Sequence, residues 1–458
     1  MSTLHVDLEL VRKYNVPGPR YTSYPPATHF ADYAPQELMA SKLRENNQGQ
    51  RDLSLYFHLP FCQSLCWFCG CTTVITTDPG VSSKYLEYVK REVELMKRFL
   101  NQDRKVVQLH FGGGTPTFFK PVELETLGDF IRSQFKFADD FEAGVEIDPR
   151  RVTTEHIAML RKAGFNRASI GVQDHNPIVQ KAVHRIQPFA QTKMVVDWIR
   201  ASGFKSLNID LIYGLPHQTV VSFEKTLEDT LALNPKRLAV FSYAHVPWIK
   251  PAQKILEDKI LPSAETKLEL LKLTIEKLTS RGYVYIGMDH FAREDDELAL
   301  AQKAKTLQRN FQGYSTRGGS DIYGFGMSSV SQGADFYWQN TKDLADYYLS
   351  LEAGRLPIAK SHFLSREDQI RRQTIMRLMC DLSLDYTTLS QALGIDFEAH
   401  FGRELGSLDE LEADGLLLKV PGGIVVTDAG RLFIRNIAMC FDAHLPAQIN
   451  QRRFSRTI

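Results

Sequence analysis

The chain lacks charge imbalance, long apolar runs and scattered cysteine. Its 55 basic residues face 54 acidic ones, a formal net charge of +1. No global field therefore draws it to nucleic acid or to an anionic membrane surface. No uninterrupted apolar stretch approaches the ~20 residues that a membrane-spanning helix needs. The opening Met-Ser-Thr-Leu-His-Val-Asp carries no apolar core of a secretory leader, so a reduced, cytoplasmic setting is expected. Only six cysteines occur in 458 residues. Two of them, Cys380 and Cys440, stand alone and read as small buried apolar side chains. Hydrophobic content of 43% and charged content of 24% are ordinary for a globular protein, and the length suggests two or three domains. No coiled-coil heptads or exposed apolar helix argue for an assembly, so a monomer is expected.

The other four cysteines, Cys62, Cys66, Cys69 and Cys71, fall within ten residues. They follow an apolar run, Leu53 to Leu59, that reads as a strand and stops at Pro60. The thiols thus lie on a loop past a strand end, where open α/β folds place their chemistry. A disulfide knot suits a secreted chain with many more cysteines. Structural zinc wants a second, distant Cys-x-x-Cys pair, which is missing. An iron–sulfur cluster needs soft thiolates on a compact loop, and C-x3-C-x2-C suits it. If only those three cysteines ligate, a four-iron cluster keeps one iron open for a small molecule.

Along the chain, residues 1 to 45 contain prolines at 17, 19, 25 and 26, which exclude a long helix and predict an extended arm. That arm either wraps the surface or lays Arg20, Tyr21 and Tyr24 over an active-site mouth. From residue 50, β-prone runs alternate with helical periods. Expected strands are 53–58, 106–111, 143–147, 167–172, 207–213 and 238–243. Expected helices are 84–100, 121–134, 154–163, 193–202 and 222–233, then 264–281, followed by a β-like run at 283–289. Six such units are too few for a closed eight-stranded barrel, so an open, partial (β/α)6 barrel is predicted. Strand ends carry the candidates: Gly112-Gly113-Gly114-Thr115, whose amides could face a carboxylate; Glu146; Gln173 followed by Arg185; Asp210 inside an apolar run, where it must be paired or bound; and Ala244. Tyr56 and His58 share one face of the first strand. Glycines between 309 and 333 suggest ligand-packing loops. After about 356, helices at 366–380, 386–393, 405–414 and 428–441 with a hairpin at 416–427 resemble a winged-helix module. Arg431, Arg435, Arg452, Arg453 and Arg456 add charge there, but no long basic stripe supports DNA binding. A cap over the barrel, with arginines facing substrate carboxylates, is the better expectation. Domain limits follow at 1–45, 46–355 and 356–458.

The three-cysteine spacing resembles the signature of the radical S-adenosylmethionine enzymes. Taken with Gly18–Pro25, Tyr56 through Cys71, Gly112–Thr117, Glu146–Pro149, Gly171–Asp174, Asn208–Pro216, Gly287–Asp295 and Arg435–Asp442, the chain is similar to the oxygen-independent coproporphyrinogen III oxidase family almost end to end. The resemblance implies a [4Fe-4S] cluster on Cys62, Cys66 and Cys69, with Cys71 near the active site but not a ligand. It implies two S-adenosylmethionine molecules. The first would use Tyr56, Gly113, Glu146 and Val330; the second would use Phe68, Gly114, Thr115, Gln173, Arg185, Asp210 and Ala244, with Gln312 close by. Tyr56, His58 and Cys71 are the catalytic candidates, although a lone histidine placed as His58 is more often a satisfied core residue. The reaction implied is oxidative decarboxylation of two propionates of coproporphyrinogen III, driven by a 5′-deoxyadenosyl radical, in haem synthesis. A flavodoxin-like reductase would feed the cluster, and an unnamed acceptor would take the substrate's electron. The rival reading is a haem-carrying relative on the same fold that decarboxylates nothing; such relatives typically lack a cysteine at the place of Cys71 and the Pro-Arg-Tyr-Thr-Ser-Tyr-Pro arm.

Overall fold

Six parallel strands alternate with six helices in the computed structural model, which describes residues 3–32, 35–257, 260–445 and 456–457. The strands are β1 (Leu53–Leu59), β2 (Lys105–Gly113), β3 (Lys136–Ile147), β4 (Arg167–Gln173), β5 (Ser206–Tyr213) and β6 (Arg237–Ser242). The helices that follow each in turn are α1 (Gly80–Lys97), α2 (Pro121–Gln134), α3 (Thr154–Lys162), α4 (Phe189–Ala201), α5 (Val220–Ala232) and α6 (Ala264–Ser280). Their starts are chemically marked. Pro121 opens α2 where its missing N–H costs nothing, while Thr153, Thr219 and Ser263 cap α3, α5 and α6 through side-chain oxygens.

Further strands extend the same sheet: β7 (Tyr283–Gly287), β8 (His290–Arg293), and, beyond a small hairpin of β9 (Gln308–Asn310) and β10 (Gly313–Ser315), β11 (Asp321–Phe325), β12 (Val330–Gln332), β13 (Phe336–Asn340) and β14 (Ile358–Phe363). The twelve-stranded order is β14-β13-β12-β11-β1-β2-β3-β4-β5-β6-β8-β7. The sheet stays open, with β14 and β7 at its two edges. The strand that carries the cysteine loop is central: β1 pairs in parallel with β2 on one side and with β11 on the other. The glycine-dense stretch expected to be loop therefore includes a buried strand. Gly324 can stand in β11 because the Val330 carbonyl oxygen lies 2.8 Å from where its Cβ would be, and only glycine fits.

Alternation divides each strand between two faces. Leu55, Phe57 and Leu59 of β1 are fully buried toward the helical layer, with Phe57 stacked on Phe325 at 5.0 Å. Burying such a ring is worth about 1.5–3 kcal/mol. The opposite face carries Ser54, Tyr56 and His58, and polar residues recur at the matching positions of β2, β3 and β5.

The arm departs from expectation. Helices at Leu8–Tyr14 and Gln36–Asn46 bracket the proline-rich middle, since no proline interrupts either segment. Tyr21 and Tyr24 are core residues, with the Tyr21 hydroxyl donating to Asp442 at 2.9 Å and the Tyr24 hydroxyl accepting from the Ala443 amide at 3.0 Å. In the carboxyl-terminal region, helices at Arg366–Asp381 and Tyr386–Leu393 pack with a sheet of β15 (Ser383–Asp385), β16 (Leu417–Val420) and β17 (Gly423–Val426), ordered β15-β17-β16. The single helix expected at 405–414 is two, Gly402–Gly406 and Asp409–Ala413. Gly406 weakens the turn, and the Ser407 hydroxyl bonds back to the Glu404 carbonyl. The one expected at 428–441 begins as a tight turn, Ala429–Phe433, before the helix Ile434–Met439. Gly430 lies flat against the Leu416 carbonyl there.

The described carboxyl-terminal arginines are tied to the protein itself, although Arg431 also lines a cavity of about 570 Å³ with Val284, Asp381 and Val426. Arg435, 4% exposed, donates to the carbonyls of Pro19 (2.9 Å), Arg456 (3.0 Å), Thr457 (3.1 Å) and Gly18. Arg456 donates to the Asn15 carbonyl and Arg431 to that of Tyr285. Backbone carbonyls take these donors, and Asp428 also pairs with Arg431 at 3.4 Å. Arg452 and Arg453 lie outside the described residues.

Candidate active site

The cysteine loop leaves β1 at Pro60, and Phe61–Cys62 pair in parallel with Val74–Ile75 at its neck. Inside the loop a turn closes with the Cys69 amide on the Cys66 carbonyl at 3.0 Å. Cys66 is buried, Cys62 and Cys69 are half-buried, and Cys71 is exposed. The loop is seated on the glycine turn after β2. The Gly114 amide donates to the Leu59 carbonyl at 2.9 Å, and a Cβ on Gly114 would sit 2.5 Å from the Pro60 carbonyl carbon. A Cβ on Gly113 would strike the His58 ring at 2.5 Å. These glycines are there to let two chain segments touch. The Gly113 amide donates to Glu146 at 3.1 Å, so both amides serve the protein itself rather than an incoming carboxylate.

Charge around the sulfurs is cationic. Arg150 and Arg185 reach the Cys66 sulfur at 3.4 and 3.6 Å. Both are anchored by Asp148, through Arg150 Nη2 at 2.6 Å and Arg185 Nη1 at 3.2 Å. Burial alone would raise the Asp148 carboxyl, yet the two guanidiniums hold it at about 2. Burial pushes the Cys62 thiol up to about 11, against a hydrogen bond with the Thr115 hydroxyl at 3.3 Å. Interaction with Cys71 lowers the Cys69 thiol despite its burial, with Lys250 and Arg185 assisting, while the same interaction raises Cys71. Three soft sulfurs within eight positions, beside two guanidiniums that favour thiolate, fit a [4Fe-4S] cluster.

Behind the loop, the polar faces of β2 to β6 enclose a cavity of about 270 Å³. Glu146 and Asp210 enter it from neighbouring sides, and Gln312 closes it opposite, donating to the Ser54 hydroxyl at 3.3 Å. The two carboxyls differ. Burial would raise Glu146, but His110 (3.5 Å) and the Gly113 amide hold it below its ordinary value. Asp210 accepts only from neutral donors, the Ser169 hydroxyl at 3.0 Å and the Asn208 amide at 2.7 Å, and burial pushes it up to about 6. Tyr56 stacks on His110 at 5.9 Å and bonds His58 Nδ1 at 3.1 Å. His58 Nε2 meets the Thr72 carbonyl at 2.9 Å. One neutral tautomer, protonated on Nε2, satisfies both nitrogens, and burial lowers the ring's pKa. His58 therefore ties the exit of the cysteine loop back to β1.

The structure brings most sequence-derived candidates together. Arg185 also donates to the Gly171 carbonyl at 2.6 Å, next to Gln173, whose φ is +70°. Phe68 packs with Tyr243 and Leu256, and its carbonyl accepts from Gln253 at 3.0 Å. Ala244 is exposed past the end of β6. Val330, at the start of β12, packs in a separate cluster with Phe30 and Tyr337. Arg20 is paired with Asp289 instead of standing free. Sequence reasoning missed His110, Asp148, Arg150 and Lys250, the last donating to the Cys71 carbonyl at 2.7 Å. Two of these carried a signal: His110 stands two positions before Gly112 on the polar face of β2, and Asp148 two positions after Glu146.

Comparison with known proteins agrees with this geometry. The radical SAM superfamily profile matches residues 56–230, and that of the HemN C-terminal domain matches residues 364–433. The barrel and its cysteine loop thus define a radical S-adenosylmethionine protein. The chain is 46% identical over its full length to the oxygen-independent coproporphyrinogen III oxidase of Synechocystis sp., covering 99% of that protein. It is 44% identical to that of Pseudomonas aeruginosa, with both chains covered completely. A solved structure titled as coproporphyrinogen III oxidase from Escherichia coli, a radical SAM enzyme, superposes with a TM-score of 0.91 at 42% identity over 97% of this chain and 100% of that one. The chain belongs to the oxygen-independent coproporphyrinogen III oxidase family.

Proposed function

We propose that the protein converts coproporphyrinogen III to protoporphyrinogen IX by decarboxylating two propionates to vinyls without oxygen. The observation that carries this reading is the loop of three cysteines after β1, set beside Arg150 and Arg185, in a chain that aligns end to end with the family. Cys62, Cys66 and Cys69 would hold the cluster. When bound, a [4Fe-4S] cluster with S-adenosylmethionine supplies a hydrogen-abstracting radical. At each propionate one hydrogen atom leaves the β-carbon, the carboxyl group departs as CO2, and one electron passes to an acceptor.

The chain's own groups would position and shield. Glu146, kept anionic by His110 and Gly113, suits the ammonium of a first S-adenosylmethionine, beside Tyr56, Gly113 and Val330. Asp210, Gln173, Arg185, Phe68, Gly114, Thr115 and Ala244 suit a second, with Gln312 between. Cys71, exposed and protonated, would stand on the substrate side as a hydrogen donor, with Tyr56 and His58 behind it. Exclusion of water, which a primary radical requires, would fall to the arm (1–45) and the carboxyl-terminal part (356–458) around the 46–355 barrel. An electron-donating reductase, a separate acceptor, a monomeric state and a cytoplasmic setting complete the proposal. Among the described residues no helix is long and apolar enough to cross a membrane.

The test is anaerobic. The protein is reconstituted with iron and sulfide, reduced, and given S-adenosylmethionine with coproporphyrinogen III. Deoxyadenosine and vinyl product should appear together, and neither without S-adenosylmethionine. Deoxyadenosine without vinyl product would reject the substrate. An intact cluster with neither product, and tightly held haem, would favour the haem carrier.

A further inference from the structure

One buried cation is unused by anything above. Arg309, on β9, is only 6% exposed, yet its Nε and Nη1 have no hydrogen-bond partner among the described residues. Its Nη2 donates to the Arg20 carbonyl at 3.2 Å. Asp289, the acid of this neighbourhood, is taken by the Arg20 guanidinium. Arg435, the third guanidinium of the group, directs its donors to backbone carbonyls. A buried guanidinium with open N–H groups and no counter-charge is costly unless an anion completes it.

The surroundings say where that anion comes from. Arg309 lies over the Tyr314 ring at 4.7 Å, its cross-strand partner on β10. Tyr314, His290 and Gln312 line the same cavity as Glu146 and Asp210. Asp289 sits against β6, its carbonyl accepting from the Val240 amide at 2.8 Å, and its charge and that of Arg20 act on Tyr213 at the end of β5. His290 is held neutral by burial and cannot substitute as the cation. A guanidinium rather than an ammonium suits a planar carboxylate.

We propose that Arg309 is the receptor for one carboxylate of the tetracarboxylate tetrapyrrole, gripped through its unpaired N–H groups, with the Arg20–Asp289 pair forming the wall beside it. The inference rests on the reading of the substrate above and adds the group that orients it. Arg20 then serves through its backbone and its ion pair, and Arg309 makes the contact.

The experiment compares steady-state kinetics of reconstituted wild type, Arg309→Gln and Arg309→Lys, with KM measured separately for coproporphyrinogen III and for S-adenosylmethionine. Losing a charge-assisted contact should raise the coproporphyrinogen KM about tenfold or more. The KM for S-adenosylmethionine should move less than about twofold, and Lys should recover part of the loss. An unchanged coproporphyrinogen KM overturns the subsite. So does a parallel rise in both KM values with a lowered melting temperature, which marks a packing role. Should Arg309→Gln fail to fold, Arg309→Lys decides: its planar fork is lost, so an unaltered coproporphyrinogen KM refutes the contact. A wild type that neither binds nor converts coproporphyrinogen III removes the substrate reading and this subsite together, whereas normal wild-type turnover confines any failure to Arg309.

Discussion

The cysteine loop and the joint between arm and carboxyl terminus both depend on buried arginines, but in opposite ways. Around the loop, Arg150 and Arg185 are held by a carboxylate and lean on sulfur, so their charge is felt at a place where electrons are to be stored. At the joint, Arg435 gives its donors to four backbone carbonyls and its charge does no chemistry. The same side chain tunes a site in one region and staples two ends of a chain in the other. What separates them is the acceptor: a polarizable anion is altered by a nearby cation, whereas an amide carbonyl is merely satisfied.

That contrast can be broken at either end. The largest effect is expected from Cys62→Ser, Cys66→Ser and Cys69→Ser, each of which should lose essentially all cluster iron after reconstitution; Cys71→Ser should keep it while turnover falls. Iron analysis decides, and equal iron loss in the Cys71 variant would refute the three-ligand assignment. Next, Arg435→Met should strand four carbonyls and destabilise the fold by about 3 kcal/mol or more, with the arm cut early in limited proteolysis while iron binding survives in the remaining folded protein. Smaller again, Gly114→Ala forces a methyl into the Pro60 backbone and should cost about 1–3 kcal/mol; because it displaces the loop, iron per folded chain should drop too, as denaturation and iron assays on one sample would reveal. The mildest is Asp210→Asn. Burial raises this carboxyl from 3.8 to about 6, so the folded state holds a proton that the unfolded chain releases between those values, and stability falls as pH rises through that window. The amide should flatten this slope and stabilise the apoprotein above pH 6 by roughly 1–2 kcal/mol, while weakening S-adenosylmethionine binding. A melt at pH 7.5 no higher than wild type would contradict it.

Much of the fold is legible in local pattern alone. Five barrel strands and the last five residues of β3 (Lys136–Ile147) can be read because β-prone runs end in glycine or polar residues, whereas the charged first half of β3 hides; α2 can be read to the residue because proline and period agree at Pro121–Gln134. The cysteine spacing carries its chemistry within a single loop. Long-range partners are not legible in this way. Nothing in the sequence near Arg435 says that two of its four acceptors are 416 and 417 positions away. β11 hides because Asp-Ile-Tyr-Gly-Phe-Gly reads as a turn; only the β12 backbone packed against Gly324 makes the missing Cβ an asset. Arg20 reads as a substrate cation because its acid, Asp289, is 269 residues distant.

The placement of β1 between β2 and β11 has a consequence for biosynthesis. The strand that leads into the cysteine loop is made early, but its second neighbour is encoded some 270 residues later, at Asp321–Phe325. Until then the ribosome-bound chain presents Leu-Ser-Leu-Tyr-Phe-His-Leu as a bare sheet edge, a template for mispairing and aggregation. Iron loaded at that stage would enter a loop whose supporting strand is half dressed. Assembly of the metal centre is therefore expected to be post-translational, after the last third of the polypeptide has closed the sheet.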